Sequence, residues 1–302
     1  MMSSRRYYQA AIILTLGVYL YYLGYRLLYT INPDALTFSL LFFYAEFHGF
    51  VALALYFFQL WDPVMRKSSP APSGLSVDVL IPTYNEDIDL VRKTVMACLD
   101  MKYPHTTYIC DDGNRPELAR MAEELGCMYL ARKERAHAKA GNLNHALAHT
   151  KGDFVAILDA DYVPQPDFLE QTLGYFTDEN VAFVQTPHHY YNVDSFQFRI
   201  NMKKGDKWNE QDMFYRVMMP GRDHWNSVFF AGTSAVIRKQ ALKEVGGFAT
   251  ATITEDVQTT IQIYKRGWKG VYHNEVLSTG LAAKDLNSYH IQKLRWAEGN
   301  IN

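Results

Sequence analysis

Two long apolar stretches open the chain. From Tyr7 to Tyr25, 19 residues pass without a charged side chain, and the apolar character continues past Arg26 to Ile31. A second stretch, Ala35–Trp61, spans 27 residues with one formal charge, Glu46. At about 1.5 Å rise per residue, a helix built from either stretch crosses a hydrocarbon core of about 30 Å. Asn32-Pro33-Asp34 between them is a turn, so residues 1–66 are predicted to form a transmembrane helical hairpin. A cleaved signal peptide fits the first stretch less well, because the run is long, no small-residue cleavage site follows and a second span comes next. Arg5 and Arg6 precede the pair, while Arg66 and Lys67 follow it. The positive-inside bias then places both ends, and everything after residue 66, in the cytoplasm. Glu46 and His48 fall well inside the second span, where ionisable groups either pack against neighbouring helices or mark function.

The pattern changes after a turn-rich linker, Ser68–Gly74, assigned to residues 67–75. Ser76–Pro82 is a short apolar run that reads as a strand, and Ile88–Asp100 carries Leu90, Val91, Thr94, Val95 and Cys98 at helical spacing. Strand signals recur at Tyr108–Cys110, Cys127–Leu130 and Phe154–Leu158, with helices over Pro116–Gly126 and Ala140–Thr150 between them. A further helical segment covers residues 255–266. Strands alternating with helices imply an α/β fold with a mainly parallel sheet, and residues 76–302 are read as one such domain. Ligands of these sheets gather at the carboxyl ends of the strands. Asp111-Asp112-Gly113 and Asp159-Ala160-Asp161 both stand at such ends.

Composition narrows the class. Of 302 residues, 48% are apolar and 21% charged, which excludes a disordered or collagen-like chain. The formal charge is −2, and residues 74–302 hold 25 basic against 29 acidic side chains. That balance argues against nucleic acid as a partner. Three cysteines without a CxxC pair argue against a disulfide scaffold or structural zinc site, and point to a reducing compartment.

No GxGxxG follows the first strand, and no GxxxxGK[ST] occurs, so the usual backbone cradles for a dinucleotide or nucleoside triphosphate are missing. A hard divalent cation offers another way to hold a diphosphate, taking oxygens from one or two carboxylates plus the phosphates. Asp159 and Asp161 supply such a pair, although two solvated turn aspartates would look the same. Thr254-Glu255-Asp256 opens a helix, where either a capping box or an anion-steadying terminus is expected. Gln292, Arg295 and Trp296 share one helical face; Arg forks onto phosphate oxygens, and a Trp face suits a sugar ring. His137–Asn142 is a polar loop before a helix, with Lys139 in reach of a phosphate. Met213–Tyr215 and Asp223–Asn226 form an aromatic-rich stretch that either shapes an acceptor site or packs along the sheet.

In order, Pro82–Glu86, Asp111–Gly113, His137–Asn144, Asp159–Asp161, Thr254–Asp256 and Gln292–Trp296 resemble the motifs of membrane-embedded family 2 glycosyltransferases of the cellulose synthase type. Val184–His188 and Phe229–Thr233 look like further landmarks. The resemblance covers essentially all of residues 74–302. It implies a GT-A fold (Rossmann-like, mainly parallel sheet), an inverting sugar transfer, a UDP-linked donor, and Mg²⁺ or Mn²⁺ as cofactor. It places Thr83 and Tyr84 beside the nucleoside, Asp112 on the uracil and Lys139 near the diphosphate. Asp159 and Asp161 hold the donor and the metal, and Asp256 is the general base. Gln292, Arg295 and Trp296 line the acceptor entrance and the diphosphate.

A multi-pass protein of the plasma or inner membrane follows, with a growing glycan as acceptor. In processive members more transmembrane helices follow this domain, whereas the sequence given ends six residues after Trp296. It is therefore read as a fragment, as one part of a complex with other synthase or channel subunits, or as a non-processive enzyme. Two alternatives stand beside extension of a polysaccharide: transfer of one sugar to a lipid, and a catalytically silent donor-binding subunit.

Overall fold

The computed structural model describes residues 2–192, 211–283 and 285–301. It divides into two compact units, residues 1–63 and 64–302. In the first, helices Met2–Tyr29 and Leu36–Gln59 are joined through a short turn, Pro33–Ala35. Asn32 Oδ1 caps that turn by accepting from the Asp34 N–H at 3.0 Å. Both helices are long and apolar enough to cross a membrane. The lone charge of the second stretch is paired: Glu46 accepts from Arg26 Nε at 2.9 Å and from the Tyr22 hydroxyl at 2.8 Å. Glu46 thus has a helix-pairing role within the hairpin. His48 is exposed.

The second unit is built on a seven-stranded sheet in the order β3-β2-β1-β4-β7-β6-β8. The strands are β1 Val77–Thr83, β2 Thr106–Asp111, β3 Met128–Ala131, β4 Phe154–Ile157, β6 Val181–Gln185, β7 Ala235–Arg238 and β8 Lys269–Tyr272. A separate antiparallel pair joins β5 Val163–Pro164 to β9 Ser278–Thr279. β1 to β4 run parallel, and β7 alone among the seven is antiparallel to its neighbours. The expected strands and helices are present, with ends shifted by one or two residues. One shift matters: the helix expected from Ala140 begins at Ala138 and runs to His149, so Lys139 lies on its first turn rather than in a loop.

Both faces of the sheet are covered, which explains why the strands read as continuous apolar runs rather than alternating ones. Val77, Val79, Ile81, Phe154 and Ala156 enter one core with Val91, Val95 and Cys98 of the helix Ile88–Leu99. Leu80, Val155, Ile157, Phe183 and Ile237 enter the other with Leu143 and Ala146. β1 connects outward to β2, whereas the chain returns from β3 to β4 on the opposite side of β1. The carboxyl ends of β1 and β4 therefore flank a topological switch point, where a crevice opens.

The segment after residue 63 is bolted to this unit. The Val64 N–H donates to the Pro220 carbonyl at 2.9 Å, and Arg66 forks onto Asp223 at 2.5 and 3.0 Å. Part of the aromatic-rich stretch serves packing: Asp223 has a fully buried side chain and Tyr215 sits in the second core, while Met213 and Trp225 are exposed. Arg66→Ala would strand the Asp223 carboxylate without its guanidinium. The expected cost is about 2–3 kcal/mol, below that of a fully enclosed pair because Arg66 is partly exposed. Thermal unfolding in detergent should show a midpoint lower by several degrees.

Candidate active site

The floor of the crevice comes from β1 and β2. Thr83, the last residue of β1, donates its hydroxyl to Glu86 at 2.6 Å, and the Tyr84 N–H reaches the same carboxylate oxygen at 2.7 Å. Tyr84 is 49% exposed, with the Arg135 guanidinium 5.5 Å from its ring centre. The two aspartates after β2 divide their work. Asp111 turns inward, accepting from the Gly113 and Arg115 N–H groups at 2.9 and 2.7 Å and from the Tyr129 hydroxyl at 2.9 Å. Asp112 faces the crevice and is gripped by Arg132 through two bonds of 2.5 and 2.7 Å. Arg132 had no sequence signal beyond its place in the charged run Arg132-Lys133-Glu134-Arg135.

Opposite this floor, Asp159 and Asp161 follow β4. The turn that carries them is fixed from three sides. Thr94 donates to the Ala160 carbonyl at 2.8 Å, the Asp159 N–H donates to Thr233 Oγ1 at 2.8 Å, and the Tyr162 N–H closes onto the Asp159 carbonyl at 2.9 Å. Gln185, at the end of β6, holds the loop carrying Thr233. It accepts from the Ala231 N–H at 2.8 Å and donates to the Thr233 carbonyl at 2.9 Å. The two landmark segments thus form a frame for Asp159. Gly232 in that loop has φ +89°, a left-handed conformation suited to glycine.

Lys139 stands at the centre. Its ammonium donates to Asp159 Oδ1 and, at 2.9 Å, to the Gly232 carbonyl. Burial would lower its pKa, but the charges of Asp159, Glu255 and Asp256 outweigh burial and hold it above the ordinary value. Asp256 lies on the first turn of the helix Glu255–Lys265. Burial, then the neighbouring Glu255, pushes its carboxyl up to about 6, against the Val257 N–H and Lys139, which pull it down. Thr254 occupies the N-cap position, yet its side chain does not cap; its hydroxyl donates to the Gly299 carbonyl at 2.8 Å. The capping-box reading is therefore replaced by a tie to the helix Leu286–Ile301.

That helix brings Gln292, Arg295 and Trp296 to the crevice, with Lys293 Nζ 4.5 Å from the Trp296 ring centre. Two cavities result. One of about 540 Å³ is lined by Thr83, Tyr84, Glu86 and Asp112 among others, and one of about 760 Å³ by Asp256, His188, Gln292 and Trp296 among others. Lys139, Asp159, Asp161 and Arg295 line both, so the cavities are lobes of one cleft. All ten residues singled out from the sequence line this cleft. His188 joins them: its Nδ1 meets the Tyr215 hydroxyl at 2.9 Å, and its buried Nε2 has no hydrogen-bond partner among the described residues. Burial pushes its pKa down to about 3, so the ring is neutral.

A divalent cation fits this chemistry. Burial, and then the charge of Asp159, pushes the Asp161 carboxyl up to about 7, which marks a paired acidic site short of positive charge. Among the described residues, no group of three or more His, Cys, Asp or Glu side chains is arranged to hold a metal. An ion here would thus take two protein carboxylates and complete its shell from a ligand's oxygens, as Mg²⁺ commonly does.

A seven-stranded mainly parallel sheet, with an acidic pair at the switch point and a third carboxylate in the same cleft, defines a GT-A glycosyltransferase. The chain belongs to the glycosyltransferase-like family 2, whose sequence profile matches residues 72–299. It is 41% identical over 311 aligned positions to the cellulose synthase 1 catalytic subunit [UDP-forming] of Komagataeibacter xylinus, covering 99% of this chain and 42% of that protein. It is also 41% identical to the cellulose synthase catalytic subunit [UDP-forming] of Xanthomonas axonopodis pv. citri, covering 84% of this chain and 36% of that protein. The chain thus spans less than half the length of these relatives. Among solved structures it resembles the mannosyltransferase PcManGT of Pyrobaculum calidifontis in complex with GDP-Man and Mn²⁺. The TM-score is 0.66 at 22% identity, over 85% of this chain and 71% of that one. Glucosyl-3-phosphoglycerate synthase of Mycobacterium tuberculosis, in complex with Mn²⁺, UDP and phosphoglyceric acid, gives 0.52 at 16% identity, over 76% and 82%.

Lys139 is the cation that lowers the Asp256 pKa from across the cleft. Lys139→Met should therefore raise that pKa above 6, read as an upward shift in the carboxylate band of an infrared pH titration.

Proposed function

We propose that the chain is the catalytic part of a membrane-bound β-glycan synthase, a metal-dependent inverting hexosyltransferase using a UDP-linked sugar. The observation that carries this reading is the single two-lobed cleft, with Asp112 at one end, Asp256 at the other and Lys139 between the acidic groups. The lobe at β1 takes the nucleotide. Tyr84 offers its ring to the base, Asp112 accepts from a base N–H, and Thr83 borders the ribose. Lys139 and Arg295 face both lobes, where the diphosphate would sit, and the N-terminal turn of the helix Ala138–His149 adds its partial positive charge. Asp159 and Asp161 would hold Mg²⁺ or Mn²⁺, which supplies charge to the departing diphosphate.

The second lobe takes the acceptor. An acceptor hydroxyl oxygen attacks the anomeric carbon and its proton passes to the Asp256 carboxylate. The bond from that carbon to the diphosphate oxygen breaks, and its electron pair leaves with the nucleoside diphosphate. Attack from the face opposite the leaving group turns an α-linked donor into a β-linked product. Trp296 presents a flat face to a sugar ring and Gln292 its amide.

Around this centre we assign residues 1–66 to a membrane hairpin, 67–75 to a linker and 76–302 to the catalytic domain. The flanking Arg and Lys residues support a cytoplasmic catalytic domain. The growing glycan is the favoured acceptor, in keeping with the cellulose synthase relatives.

Membranes carrying the protein should transfer radiolabel from one member of a nucleotide-sugar panel, with β-linkage in the product. No transfer and no donor hydrolysis in metal-supplemented membranes would make this a silent subunit instead. Asp256→Asn should lower turnover by about 10²–10⁴-fold while donor affinity stays within about twofold. Because the base must be ionised, kcat/KM should be flat above about pH 6 and fall about tenfold per pH unit below it. Chelation should abolish transfer, and Mn²⁺ or Mg²⁺ should restore it.

A further inference from the structure

We infer that Arg132 is a positioning residue that holds the nucleoside end and the diphosphate end of the nucleotide lobe in one fixed register, an inference that rests on the donor reading above. Its guanidinium is nearly enclosed, with a side chain 9% exposed against an Asp112 side chain 8% exposed. Four donations leave it in two directions. Nε and Nη2 grip the two oxygens of Asp112 at 2.5 and 2.7 Å. Nη1 donates to the Ala136 carbonyl at 2.7 Å, and Nη2 to the Ala138 carbonyl at 2.9 Å.

The second pair of bonds secures a strained turn. His137 and Ala138 are consecutive non-glycine residues with φ of +64° and +43°. Such a pair persists only where its surroundings over-determine it. The residue that follows is Lys139. Gly141 belongs to the same arrangement, since a Cβ there would collide with the Ala136 carbonyl and the Arg132 guanidinium. The body of this helix is anchored separately, by the Asn142 amide donating to the Cys110 carbonyl at 2.7 Å. Loss of Arg132 therefore releases the first turn, with Lys139, and not the helix behind it. A lysine cannot substitute, because it lacks the planar fork that serves a carboxylate and two carbonyls at once.

The test measures UMP and UDP affinities of the full chain in detergent with Mn²⁺ present. The ratio of the two isolates the diphosphate end. Asp112→Asn should weaken UMP and UDP by one common factor and leave the ratio unchanged. Lys139→Ala should collapse the ratio and spare UMP. Arg132→Lys should do both, weakening UMP about tenfold and lowering the UDP-to-UMP ratio about tenfold again, in keeping with loss of charge-assisted hydrogen bonds at each end. In the Arg132→Lys, Lys139→Ala double variant the ratio should fall no further than with Lys139→Ala alone. Gly141→Ala disturbs the same turn from its other side and should lower the ratio as well. It carries the test if Arg132→Lys does not fold. An unchanged ratio in Arg132→Lys, or in Gly141→Ala where that variant stands in, overturns the inference and leaves the donor reading intact. A wild-type chain that binds neither nucleotide overturns the donor reading, and this inference with it.

Discussion

Four carboxylates, Asp159, Asp161, Glu255 and Asp256, meet around one ammonium, Lys139, at the carboxyl edge of the sheet. Like charges brought this close raise one another's pKa values, and burial adds to the effect. Both influences are seen at Asp161 and Asp256. The ammonium relieves only part of the excess, and the remainder leaves the cleft short of positive charge. Two separate elements make this concentration of charge: the turn after β4 brings Asp159 and Asp161, and the first turn of the helix Glu255–Lys265 brings Glu255 and Asp256.

Much of the surrounding polar sequence serves to hold these groups rather than to touch a ligand. Gln185 fixes the Ala231–Thr233 loop, and Thr233 fixes the Asp159 backbone. Thr94 fixes Ala160 from the helix on the other side of the turn. On the β2 side, Arg115 binds Asp111, Thr83 and the Glu86 carbonyl together. The supporting bonds come from neutral amides and hydroxyls wherever the acidic pair is near, so the frame adds no further charge to a site already short of counter-ions.

Periodicity made the sheet and its helices legible because a strand buried on both faces, such as Val77–Thr83, leaves a continuous apolar run. The acidic turns were legible because they end those runs. Less visible was where each polar side chain goes. Asp111 and Asp112 are chemically identical neighbours, and only Arg115 and Tyr129 on one side and Arg132 on the other decide which of them is structural. Thr254 has the right identity for a cap, but its hydroxyl finds a carbonyl 45 residues away. Lys139 sits on a helix because a left-handed turn at His137 and Ala138, itself pinned by the Arg132 guanidinium, starts the helix two residues early. Destinations of this kind depend on partners that local pattern does not encode.

The bond from Thr254 to Gly299 ties the helix bearing Asp256 to the helix bearing Gln292, Arg295 and Trp296. Gly299 permits the approach, since a Cβ there would lie 2.5 Å from Thr254 Cγ2. The wall of the second lobe that bears Asp256 and the wall that bears Trp296 are consequently fastened to each other at their ends, so the width of that lobe is set by a contact at its edge.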